Sequence, residues 1–115
     1  MARPYVSHKK LCDNSRAAML AAIEIYNKPQ TTYREQVVTV LVVNAWELIL
    51  KAALRKAKKN IFYKKKRGED YRSFSLEHCI ADMDRHRLWP SSVDGDGVRA
   101  NLHVLTDYRN KIIHL

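Results

Sequence analysis

A chain of 115 residues in which 46% of the side chains are hydrophobic can bury one core, and with only three Gly and three Pro it is not a disordered or low-complexity segment. Its 21 Lys plus Arg against 12 Asp plus Glu leave a formal charge of +9, which favours a polyanionic partner, nucleic acid above all. Cys12 and Cys79 stand apart with no CxxC, which argues against a disulfide scaffold or a zinc site and fits a reducing compartment.

"MARPYVSHKK" has no apolar stretch behind its basic residues, so no secretory signal is visible. The first helix is expected from about Ser7 to Asn27, stopped by Pro29. Leu11, Ala18, Ala22 and Ile25, joined by Met19, Ile23 and Tyr26, make its apolar face. A second helix is expected after "TTYRE", where Thr32 and Glu35 have the spacing of a capping box. From Val37 to Leu54 it is apolar almost all round. Its β-branched run could form a strand, but the stretch is long, lacks turn residues and flows into "AWELILKAALRKAKK". A helix apolar on most faces belongs at the centre of a bundle. The run "VVTVLVVNAW" is too short to span a bilayer, so no membrane is expected and the setting is cytoplasmic.

Residues 58–75, "KKNIFYKKKRGEDYRSFS", break the helical period and read as a basic loop or small hairpin. Ser75 caps a third helix, "LEHCIADMDRHRL", that ends at Pro90. His78, Cys79 and His86 on it lack metal-ligand spacing and read as structural, and Trp46 and Trp89 as core anchors. "SSVDGDG" is a turn rather than a calcium loop, because Val98 stands where a third Asp or Asn is needed. The last helix is expected from about Val98 to the end. The whole is a single all-α domain spanning 1–115, an up-and-down bundle of four to five helices.

At about 100° per residue, Val98, Asn101, Leu105, Tyr108 and Ile112 share one side of the last helix as its core stripe. His103, Asp107, Asn110 and His114 line the opposite side, facing water or a second subunit. Arg109 lies about 140° round from His114 on an ideal helix. By spacing alone, two basic groups complementing the helix dipole are the commoner explanation. A cationic Arg beside a proton-carrying His is also what phosphodiester cleavage wants. One histidine cannot serve as base and acid in a single step, so a two-fold dimer around this helix would supply the second.

"RNKIIH" at 109–114 fits the R-x4-H signature of the HEPN superfamily. Upstream, "AIEIYNKP", "YRE" and "NAWELILKA" resemble a bacterial uncharacterised family assigned to it, and the likeness runs from about Lys10 onward. The resemblance implies a dimeric helical bundle and a metal-independent endoribonuclease of toxin–antitoxin or anti-phage systems, with RNA as substrate and no cofactor. In that reading Arg109 holds the scissile phosphate, His114 moves the proton of the 2′-hydroxyl or leaving oxygen, and Asn110 orients one of them. It further implies an antitoxin or regulatory domain as partner. These residues would be an isolated domain or the N-terminal part of a longer chain.

Glu47 and Asn44 lie inside the most apolar helix, where they either face the cleft and orient Arg109 or His114 or fix helix packing. Lys58, Lys59, Lys64, Lys65, Lys66 and Arg67, interleaved with Phe62 and Tyr63, suit an RNA backbone or a solvated loop. The rival function is a catalytically inactive module that dimerises or binds RNA without cutting it. A helix-turn-helix is a weaker third, because no pair of short helices with a tight turn is evident.

Overall fold

A computed structural model describes residues 5–29 and 32–113, which form four helices and a short hairpin. Helix α1 (His8–Tyr26) begins where expected: the Ser7 side chain accepts from Lys10 N at 3.1 Å and so satisfies one free amide of the first turn. Its inward face is built from small residues. Ser15, Ala18 and Ala22 are buried with Leu11, and the Ser15 hydroxyl donates to the Ala45 carbonyl at 2.7 Å. Small side chains let the two backbones approach, and that close approach leaves Leu20, Ile23 and Tyr26 outside.

Helix α2 (Arg34–Lys56) is the hub, as its apolarity requires. Its first turn departs from the expected capping box. Tyr33, not Thr32, is the N-cap, in the left-handed conformation at φ 58° and with no side-chain cap bond. The entry is held instead by Arg34, whose guanidinium donates to the carbonyls of Tyr26 (3.4 Å) and Lys28 (3.2 Å). Over an 18-residue window α2 has a mean hydropathy of 1.9, so by length and composition it is able to cross a bilayer, contrary to the expectation from its shorter run. Here it is a core helix: α1, α3 and α4 all pack on it.

Helix α3 (Leu76–Arg85) starts at Ser75, whose hydroxyl accepts from His78 N as the sequence predicts. Between α2 and α3 the chain forms the small hairpin. Phe62 and Ser73 make an antiparallel bridge, Tyr63 N donates to Arg72 O at 2.9 Å, and Phe74 N donates to Ile61 O at 2.8 Å. Helix α4 (Gly95–Ile113) starts three residues earlier than expected, the Val98 amide already donating to the Asp94 carbonyl. The core joins Val43, Leu50 and Leu54 of α2 to Ile61, Phe74, Leu76, Cys79, Ile80, Met83 and Leu102. Each such side chain removed from water contributes about 1.5–3 kcal/mol before entropy is counted.

Among the described residues α1 touches only α2, while α3 and α4 lie against α2 and each other. The bundle is therefore open. Its Cα radius of gyration is 15.3 Å, against about 13 Å for a compact domain of this length.

Candidate functional site

The inward side of α4 differs from the expected stripe. Leu102 and Thr106 are buried and Val98 and Leu105 half-buried, whereas Asn101 and Tyr108, placed in the core by the ideal-helix reading, are exposed. The rotation matters because it carries Arg109 inward, in line with Leu102 and Thr106. Arg109 is half-buried, and its Nε and Nη2 donate to the Asn110 Oδ1 at 3.3 and 3.1 Å. The two polar residues of the motif thus form one unit: an amide oxygen fixes the guanidinium plane and leaves the remaining N–H groups free in direction. One turn earlier, the buried Thr106 hydroxyl has no hydrogen-bond partner among the described residues. His114 lies outside the described residues.

Glu35 is the carboxylate that the fold brings to this end of α4. Tyr108 Oη donates to its Oε2 at 3.5 Å, so the first turn of α2 lies beside the last turns of α4. The sequence offered Glu35 only as a capping residue, although it belongs to the "YRE" block.

The two supporting residues expected on α2 sit elsewhere. Asn44 is exposed rather than enclosed in the apolar helix. Glu47 lies twelve residues beyond Glu35, roughly 18 Å along the axis at 1.5 Å per residue. Its partner is Lys51, with Oε1 3.6 Å from Nζ, rather than Arg109. Lys51 is the unexpected member: its side chain is only 7% exposed, and its ammonium donates to the Ser73 hydroxyl at 2.7 Å. A lysine reads as surface in any sequence; only the hairpin folding back onto α2 encloses this one. The Glu47–Lys51–Ser73 chain ties the hairpin to the hub.

The basic run is spread over two places. Lys58 and Lys59 follow the end of α2, while Lys64, Lys65, Lys66 and Arg67 ride the hairpin. Tyr71, from the returning arm, pairs edge-to-face with Phe62 at 6.0 Å and lies under the Lys65 ammonium at 5.2 Å. On the other side of the hairpin, Tyr63 and Phe74 pack around His78, which stacks on Phe74 at 3.7 Å. That environment agrees with a structural His78.

Two further groups are structural. Asp84 of α3 accepts from the Trp89 indole (2.7 Å) and from both Nε and Nη2 of Arg99 (2.8 Å each). The Arg99 bonds hold its carboxyl below the usual carboxylate range, with burial working against them and the Trp89 bond adding to them. The Cys79 thiol is pushed up to about 12 by burial in the core, which makes it unreactive. Among the described residues no three His, Cys, Asp or Glu side chains gather to hold a metal.

Fold and site together define a helical domain of the all-α class with a paired Arg–Asn at the end of its last helix and a basic aromatic hairpin. Residues 10–115 match the family described as "Domain of unknown function (DUF3644)", and the chain belongs to that family. Neither a curated protein nor a solved structure matches it.

Proposed function

We propose that this protein is a metal-independent endoribonuclease of HEPN type, acting as a homodimer through its last helix. The observation that carries the reading is the Arg109–Asn110 pair, half-buried and internally hydrogen-bonded on the side of α4 that faces its own bundle. A guanidinium fixed in this way is preorganised for a non-bridging phosphate oxygen and for charge that grows in the transition state. The R-x4-H spacing supplies His114 as the proton carrier for 2′-hydroxyl attack, and the net charge of +9 suits the substrate.

A second copy has a face to cover. Val104 is 70% and Tyr108 42% exposed on the outer side of α4. At the start of α2 an apolar groove of about 330 Å³ is lined by Tyr33, Gln36, Val37, Val40 and Leu41. The reading requires a two-fold axis along the last helix that brings two copies of the motif together and provides both a base and an acid. Cys12 and Cys79 form no disulfide, which suits a cytoplasmic setting, and the HEPN resemblance supports a role in a bacterial toxin–antitoxin or anti-phage system.

The test is incubation of the purified protein with total RNA in the presence of EDTA. Cutting that survives the chelator and leaves cyclic phosphate ends is expected. Arg109→Ala should lower the rate by roughly 10²–10³-fold, as the loss of one transition-state charge donor does elsewhere, and His114→Ala should abolish cutting. RNA that stays intact, or is cut equally by folded Arg109→Ala, would remove the reading. Binding without turnover would leave only an RNA-binding module.

A further inference from the structure

The hairpin holds a second arrangement that phosphate cleavage does not use. A cleft of about 380 Å³ is lined by Asn60, Phe62, Tyr63, Lys64, Lys65 and Tyr71. That volume matches the lower end of small-ligand sites, about right for one nucleotide. Its walls are tied in place before any ligand arrives. The Asn60 side chain closes on Phe62 from both sides, Nδ2 donating to its carbonyl at 2.7 Å and Oδ1 accepting from its amide at 3.1 Å. The returning arm is fixed by the Phe62–Ser73 bridge and by Lys51 on Ser73.

We propose that this cleft seats a single unpaired nucleotide of an RNA strand, with the base on the Tyr71 ring and the flanking phosphates on Lys64 and Lys65. The Lys65 ammonium now stands 5.2 Å over that ring. An arriving base takes the ring face, and the displaced ammonium is carried by its flexible stem to the phosphate. The local acids do not cancel this charge, because Lys64, Lys65, Lys66 and Arg67 outnumber Glu69 and Asp70. A base inside an A-form duplex has both faces covered by its neighbours and cannot enter, so the site selects single strands. The consequence for the proposed nuclease is a target preference for loops and unpaired ends.

The proposal rests on the RNA reading above for its choice of ligand, but it fails separately. In EDTA and on the Arg109→Ala background, a labelled single-stranded 12-mer and a blunt duplex of the same sequence are titrated by fluorescence anisotropy. Expected are tighter binding of the single strand, retention in Tyr71→Phe, and a loss of about tenfold or more in Tyr71→Ala, as for other base-stacking aromatics. Lys64→Ala with Lys65→Ala, on the hairpin surface, should flatten the salt dependence by up to two ion equivalents. Equal affinity for duplex, or unchanged binding in both the Tyr71→Ala and the double lysine variants, overturns the cleft even where the parent protein cuts RNA. Tyr71-dependent binding by a parent protein that cuts nothing overturns the nuclease and leaves the cleft standing.

Discussion

Among the described residues three side chains stand in left-handed backbone: Tyr33 at φ 58°, Lys58 at 61° and Arg87 at 55°. Lys58 and Arg87 follow the ends of α2 and α3 in the same way. The amide after each donates to a carbonyl five residues back, Lys59 N to Leu54 O and Leu88 N to Met83 O, both at 2.9 Å. This is a helix stop that usually takes glycine. A lysine there gives up about 1 kcal/mol against glycine, which has no Cβ to crowd the carbonyl. Lys58→Gly should therefore raise the urea midpoint, by about 1 kcal/mol in stability; a lower midpoint would show that the Lys58 side chain holds more than the backbone loses. Residue identity was legible at the Ser75 N-cap, where the chemistry is local, although the same rule misplaced the start of α2 at Thr32. It was not legible for Lys51, Asn44 or Glu47, because burial of one polar side chain depends on what the hairpin and the other helices bring over it.

The helices themselves follow from pattern. The run of β-branched residues in α2 forms helix, not strand, because packing by three neighbours outweighs a weak intrinsic preference. Pattern was less informative about rotation. The apolar residues of α4 are sparse enough that two stripes about one residue apart fit almost equally well, and α4 presents Leu102 and Thr106 inward. Consistent with that rotation is the clamp between α3 and α4, in which Arg99 reaches Asp84 at 2.8 Å while Asp96, on α4 itself, holds the guanidinium at 2.9 Å. Because the folded-state value of Asp84 is depressed, its contribution is present above the unfolded carboxylate value of about 3.9 and is lost as pH falls through the folded one. In thermal unfolding from pH 7 down to 3, the gap between the parent protein and Asp84→Asn should hold down to about pH 5 and begin to narrow below about pH 4. A gap that persists unchanged at pH 3 would mean that geometry, not charge, holds the clamp.

The molecule as a whole is an open arrangement on one hub. Only 39% of the most apolar window of α2 is buried, and Val37, Val40, Val104 and Tyr108 remain outside. In the proposed function a second copy covers this apolar surface. In sedimentation experiments the parent protein should run as a dimer, and Val104→Glu with Tyr108→Glu as a folded monomer that no longer cuts RNA. A monomeric parent protein would end the composite-site reading. Composition and helical period were enough, without coordinates, to establish an all-α domain with a basic loop or small hairpin after its second helix, because those signals act within a few residues. The enclosure of Lys51 and the carboxylate at the end of α4 came only with tertiary packing. Each joins residues distant along the chain, and helical period specifies a face without specifying what covers it.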